Sequence, residues 1–338
     1  MSYKKTIVVG LFLFGLVVLI ALSTFYASLG SCPIDSLSCD NGTFCVPRKL
    51  VCNFVKDCQD GQDENVWRCG NLYGSKKVIY ADALEGKKVY EEFNKTYQFQ
   101  NINDFWDYCG FNENEIPKGC KCMKVNLIRC RNRSEIPANF PREVGMIHLR
   151  GNSITLRSTD TFELYKNLSY LDLAFNHISS IPPKLLYKLK LLRKLFLQHN
   201  QIEELPVEIF SNLQSLSWLL LNFNHLRDFD LNVVRDLESL QYLELSYNNL
   251  KLRNASFPNL NQLYELFLDF NFIEELGVGL LGNLHNLTLL SVRSNHINVI
   301  SSPTFSNLGR LQELRLSDNP IHILDSDFFL KLANLNAL

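Results

Sequence analysis

From residue 144 onward the apolar residues fall into one recurring frame. Leucine-type side chains hold its first, fourth, sixth and eleventh positions, and an asparagine holds the ninth. Leu168, Leu171, Leu173, Asn176 and Ile178 form one copy, and Leu192, Leu195, Leu197, Asn200 and Ile202 the next. Further copies run from Leu216 to Leu226, Leu240 to Leu250, Leu263 to Ile273, Leu287 to Ile297 and Leu311 to Ile321, after a weaker first copy from Val144 to Ile154. Asn152, Asn176, Asn200, Asn224, Asn248, Asn271, Asn295 and Asn319 stand 24 residues apart, except for 23 between Asn248 and Asn271. A fixed period of this length marks a repeat architecture. Each central pair of leucines predicts a short strand, stacked about 4.8 Å from its counterpart in the next copy in a parallel sheet. The leucines point inward, and the asparagine amide satisfies backbone groups where the chain leaves the ladder. Leu205, Phe210 and Leu213 are expected to fill the convex side of the core. Leu335-Asn-Ala-Leu338 opens another copy, 24 residues after Leu311 and Leu314. The chain stops inside that strand, so the expectation is of a truncated protein, either a fragment or a shortened splice product.

The other long apolar run is Thr6 to Leu22, preceded by Lys4 and Lys5. A basic stretch before an apolar core is the pattern of a signal peptide. Residues 1–30 are therefore read as a signal peptide or an uncleaved signal anchor, and the lysines favour the cytoplasmic side if it stays. Either way the remainder is extracellular. The ten cysteines agree, because they form two even-numbered groups suited to disulfides in an oxidising compartment. Cys32, Cys39, Cys45, Cys52, Cys58 and Cys69 form the first, and Cys109, Cys120, Cys122 and Cys130 the second. Six glycosylation sequons begin at Asn41, Asn94, Asn132, Asn167, Asn254 and Asn286. Net charge is −1 and no basic stripe occurs, which argues against nucleic acid as a partner.

Residues 31–70 are too few to bury a sufficient core unaided. Asp57, Asp60, Asp63 and Glu64 crowd around Cys58 and would repel one another when packed. A hard cation with six to eight oxygen ligands resolves that repulsion, so the segment is read as a calcium-binding module; a solvated acidic loop is the alternative. Residues 71–108 show no period but carry many aromatics, among them Tyr90, Phe93, Trp106 and Tyr108. A passive linker would be richer in Gly, Ser or Pro. The segment is read as one that docks, either on the adjoining cap or on a ligand.

The six-cysteine spacing, Phe44 before Cys45, and DCxDGxDE from Asp57 to Glu64 resemble the class A repeat of the low-density-lipoprotein receptor. That resemblance implies the pairs Cys32–Cys45, Cys39–Cys58 and Cys52–Cys69. It also implies a Ca2+ shell of the side chains of Asn53, Asp57, Asp63 and Glu64 with the carbonyls of Leu50 and Val55. Asn53 and Leu50 stand where that family usually has Asp and Trp, and the lost carboxylate should weaken calcium affinity. The spacing of the second cysteine group resembles the N-terminal cap of extracellular leucine-rich repeats, which implies Cys109–Cys122 and Cys120–Cys130 and a cap over residues 109–143. The fold class expected is thus a small disulfide-rich calcium-binding module followed by an α/β leucine-rich-repeat solenoid over residues 144–338, with a curved parallel sheet on its concave face.

A class A module directly before a capped 24-residue array resembles the relaxin-family peptide receptors, and LVCNFVKDC from Leu50 to Cys58 resembles their version of the module. The resemblance implies the extracellular part of a hormone receptor of the G-protein-coupled class, at the cell surface, with a relaxin- or insulin-like peptide as partner. The seven apolar helices of that class are not encoded in this sequence. In that family the concave sheet holds the hormone through acidic and aromatic side chains. Here the corresponding strand positions include Asp172, Trp218, Tyr242, Glu244, Glu265 and Asp269. Ordinary solvated surface is the competing reading for each, and Arg293 stands near enough to neutralise part of the acidic group. The competing function is a secreted adhesion, matrix or decoy protein using the same surface. His177, His225 and His296 directly follow consensus asparagines, as turn residues do, and no nucleophile–base motif is present, so no enzyme is expected.

Overall fold

The computed structural model describes residues 36–39, 44–47, 58–59, 111–124, 127–227, 229–277, 279–300, 302–324 and 332–337. These fall into two separate units, residues 36–59 in one and residues 111–337 in the other. Among them no helix is long and apolar enough to cross a membrane; the apolar run near the N-terminus and the segment 71–108 lie outside them.

In the first unit β1 (Ser36–Cys39) pairs antiparallel with β2 (Phe44–Pro47). A disulfide joins Cys39 to Cys58, and both are buried. Cys45 is also disulfide-bonded. Cys32, Cys52 and Cys69 lie outside the described residues.

The second unit is a solenoid. It opens on a hairpin of β3 (Cys120–Lys124) and β4 (Leu127–Cys130), stapled by a disulfide from Cys120 to Cys130. Cys122 is disulfide-bonded, and Cys109 lies outside the described residues. From β4 the sheet continues in parallel through β5 (Met146–His148), β6 (Tyr170–Asp172), β7 (Lys194–Phe196), β8 (Trp218–Leu220), β9 (Tyr242–Glu244), β10 (Glu265–Phe267), β11 (Leu289–Ser291) and β13 (Glu313–Arg315). Ala337 pairs with Glu313 and carries the ladder one step further. On the descending side β12 (Val299–Ile300) pairs in parallel with β14 (Ile323–Leu324).

From β5 to β11, and again in β13, each three-residue strand of the parallel sheet sets its first and third side chains on the concave face and turns its middle leucine or isoleucine into the core. Ile147, Leu171, Leu195, Leu219, Leu243, Leu266, Leu290 and Leu314 are fully buried. The convex side of the core holds a column of Phe162, Leu186, Phe210, Val234, Phe257, Leu281 and Phe305, all buried. Aromatic and aliphatic members alternate along it, which lets neighbouring layers interdigitate. Between strands the chain turns through short i→i+3 hydrogen bonds, such as Leu189 N to Leu186 O and Leu192 N to Leu189 O. The sequence reading expected an α/β solenoid, but no α-helix occurs among the described residues; three short 3-10 turns do. A 24-residue repeat leaves too few residues after strand and turn to complete several helical turns.

The consensus asparagines tie each repeat to the one before. Asn200 Nδ2 donates to Leu173 O and Leu197 O, both at 3.0 Å, while its Oδ1 accepts from Ile178 N at 3.0 Å. Asn176, Asn224, Asn248, Asn271 and Asn295 repeat this arrangement. The residue before each asparagine sits in the left-handed region: Phe175, His199, Phe223, Tyr247, Phe270, Ser294 and Asp318 have φ between 52° and 59°. Five of these are rings, and they stack in one column with centroids 3.9 to 4.2 Å apart.

Candidate functional site

The parallel register lines up concave side chains in two rows. One runs Trp218, Tyr242, Glu265, Leu289, Glu313, and the other Leu220, Glu244, Phe267, Ser291, Arg315. The sequence-derived residues Trp218, Tyr242, Glu244, Glu265 and Asp269 thereby come together on β8, β9, β10 and the turn after β10. Trp218 and Tyr242 stack face to face with centroids 4.6 Å apart, and Phe267 adjoins Tyr242 at 5.2 Å. The Tyr242 hydroxyl donates to Glu244 Oε2 at 3.3 Å, and Glu244 Oε1 accepts from Ser246 N at 2.9 Å. An aromatic platform thus lies against two carboxylates.

These side chains are much less open than solvated surface would be. Glu244 is 8% exposed, Glu265 7% and Asp269 5%, while Trp218 is half-buried. Sheet curvature and the flanking aromatics crowd them. Burial pushes the Glu244 carboxyl up to about 7, and the nearby Asp269 adds to that, although Ser246 opposes it. Burial also raises the Tyr242 hydroxyl, followed by the charges of Glu244 and Glu265. Asp269 differs from the glutamates because it is already engaged. Its Oδ1 accepts from Ser291 Oγ at 2.6 Å and Arg293 N at 2.7 Å, and its Oδ2 pairs with the Arg293 guanidinium at 3.2 Å.

Asp172 is not part of this group. It lies on β6, two strands before β8, and faces basic neighbours instead. His148 Nε2 is 3.5 Å from Asp172 Oδ2, and Ala174 N donates to Oδ1 at 2.9 Å. Burial raises its carboxyl to about 6, with Arg150 and Arg129 pulling the other way. Other concave residues that the sequence reading passed over are Lys194, Phe196, Leu220, Phe267 and Arg315. Lys194 Nζ sits 5.8 Å from the Trp218 ring, and burial lowers its ammonium to about 8. All occupy the same two strand positions that singled out the others, so the signal was present in the repeat frame.

Of the glycosylation sequons, Asn132, Asn167 and Asn254 are exposed, and Asn286 is half-buried with Nδ2 donating to Asn261 O at 2.7 Å. Asn41 and Asn94 lie outside the described residues, as do all six of the calcium-shell residues named above.

The leucine-rich-repeat family model matches residues 142–202, 192–250 and 261–321, together half of the chain. The chain belongs to the leucine-rich-repeat family. The model of the low-density lipoprotein receptor domain class A matches residues 30–69. Relaxin receptor 1 of Rattus norvegicus is 30% identical over 141 residues, which span 42% of this chain and 17% of that relative. Among solved structures, a chain of the octameric complex of Latrophilin 3, Unc5D and FLRT2 is 23% identical with a TM-score of 0.53, covering 63% of this chain and 76% of that one. A leucine-rich-repeat protein of Leptospira interrogans is 26% identical with a TM-score of 0.49, covering 62% of this chain and 58% of that one. A class A module joined to leucine-rich repeats, with this likeness to Relaxin receptor 1, fits a relaxin-receptor-like ectodomain. The class A module and the repeats point to an extracellular or cell-surface location.

Proposed function

We propose that this leucine-rich-repeat chain is the hormone-binding extracellular part of a G-protein-coupled receptor for a relaxin- or insulin-like peptide. The observation that carries the proposal is the patch on β8 to β10, where Trp218 and Tyr242 stack beside the carboxylates of Glu244 and Glu265. A peptide arginine entering this patch meets acids that are shielded from water. Such a desolvated contact contributes more than a rim pair, which is weak and screened by salt. The half-buried Trp218 supplies the aromatic surface of an interface anchor. Asp269 acts differently in this reading: its bond to Arg293 fixes the wall of the patch, and its charge is largely spent within the protein.

The class A module is proposed to hold Ca2+ through Asn53, Asp57, Asp63 and Glu64 and the carbonyls of Leu50 and Val55. Calcium would supply the fold of that module and takes no part in the chemistry of the concave face.

The test is binding of relaxin-like peptides to the secreted chain in saturating calcium. Glu244→Gln with Glu265→Gln should weaken binding at least roughly tenfold, about 1.4 kcal/mol, while Asp172→Asn leaves it within about twofold. Equal affinity in the double variant would move the binding site elsewhere. If no such peptide binds the parent at micromolar concentration, the secreted adhesion, matrix or decoy reading takes its place.

A further inference from the structure

The stacked column of Phe175, His199, Phe223, Tyr247 and Phe270 runs along the rim of the solenoid, apart from the concave patch, and its two ends differ. At the N-terminal end the column position is Gly151, which has no side chain. The adjoining Arg150 fills the space, with its guanidinium carbon 4.4 Å from the Phe175 centroid. At the other end the column position after Phe270 is Ser294, again too small to stack. The adjoining Arg293 stands in the same relation to Ser294 as Arg150 does to Gly151. It is drawn away, however, into the ion pair with Asp269. The outer face of Phe270 therefore carries no ring or cation among the described residues, and Phe270 is 44% exposed.

The next column position is Asp318. Ser294 and Asp318 keep the left-handed backbone of the ring residues, with φ of 52° and 59°. The register holds as well, since Phe270 N donates to Arg293 O and Ser294 N to Ser317 O, each at 2.9 Å. The Asp318 carboxylate leans over this position, with Oδ2 3.5 Å from Ser294 Oγ. Repeats stand about 4.8 Å apart, so Phe270 and Asp318 bracket a slot roughly 9 Å across, enough for one planar group. One wall is an aromatic face, the other a carboxylate, and a hydroxyl lies at the base.

The geometry points to an arginine-binding slot between Phe270 and Asp318, filled by a guanidinium on a protein or peptide partner. A guanidinium stacks on an aromatic face and pairs with a carboxylate through its edge; Arg150 shows the stacking half of this chemistry on Phe175 at the opposite end of the column. A lysine ammonium has no plane to stack. This site is separate from the concave patch and does not depend on the hormone-receptor reading.

The test is saturation-transfer NMR with acetyl-arginine amide at millimolar concentration, in saturating calcium, on the chain carrying Glu244→Gln and Glu265→Gln. Removing these two acids takes away the arginine site proposed on the concave face, and the rim variants below report on the slot itself. Transfer to the arginine side-chain protons is expected, and acetyl-citrulline amide, planar but neutral, should give a much weaker signal. Ser294→Phe, which extends the ring column into the slot, and Asp318→Asn, an exposed change that spares the core, should each lower the arginine signal by roughly threefold. Arginine signal unchanged in Asp318→Asn, citrulline equal to arginine, or no arginine signal in the starting chain would each overturn the slot. A Ser294→Phe protein that melts like its parent yet binds arginine undiminished would do the same.

Discussion

At the scale of single residues, the molecule depends on polar groups held inside an apolar stack. Each consensus asparagine serves three backbone groups from two repeats. A buried donor or acceptor left unmade costs on the order of 1–3 kcal/mol, which explains why no aliphatic residue of similar size holds that position. Glu244 is a buried polar residue of another kind, kept where its charge is disfavoured. Its carboxyl lies near 7 in the fold against 4.5 ordinarily, chiefly through burial. The folded chain therefore holds this proton more tightly than the unfolded chain does. Its contribution to stability is fully present below about pH 4.5 and is lost as pH rises through about 7. Glu244→Gln removes that dependence. The stability of the parent relative to the variant should fall by roughly 3 kcal/mol between pH 4.5 and pH 8, measured by urea midpoints at the two pH values. A difference that does not change with pH would mean that Glu244 is not desolvated in solution. The leucines, the asparagines and the concave positions were legible in the sequence because each follows the 24-residue period. The environment of the site was not. The sequence brings Arg293 close enough to neutralise part of the acidic group, but it does not show that Asp269 is the carboxylate engaged, or that Asp172 faces His148 and two arginines, because both facts depend on which side chains meet across repeats. The ring column before each asparagine was periodic too, yet stacking there requires the positive φ that only the structure displays.

At the scale of elements, a repeat cannot cover its own leucines, so the first one needs a lid of different construction. The hairpin of β3 and β4 supplies it. Ile128 and Cys130 are fully buried against the first repeat, where Phe140, Val144 and Ile147 continue the core. The Cys120–Cys130 bond fixes the hairpin whose inner strand pairs with β5. Replacing both cysteines with serine should loosen this end selectively, because stability in a solenoid passes between neighbours. Amide hydrogen exchange is expected to quicken in β4, β5 and β6 and to stay unchanged in β9, β10 and β11. Uniform quickening along the sheet would instead make the whole array one cooperative unit. The absence of α-helices among the described residues follows from the same economy of length, since turns and short 3-10 segments suffice to bring the chain back to the next strand.

At the scale of the whole molecule, two units of different physical origin share one chain. The solenoid is held by a continuous apolar core, whereas the class A module is too small for one and depends on disulfides and, in the present proposal, on calcium. Asp63→Ala or Glu64→Ala in the full chain should abolish calcium binding in a calorimetric titration without shifting the thermal transition of the repeats, because the solenoid core contains neither residue. Calcium affinity unchanged in both variants would remove the assigned shell. The proposed hormone face depends on the solenoid alone, and it can be examined directly. A relaxin-like peptide carrying a photo-crosslinker beside one of its arginines should, on irradiation with the full chain, form adducts on the concave residues of β8, β9 and β10, around Trp218, Tyr242 and Glu265. Adducts confined to the convex turns, to the rim or to the class A module would contradict the account.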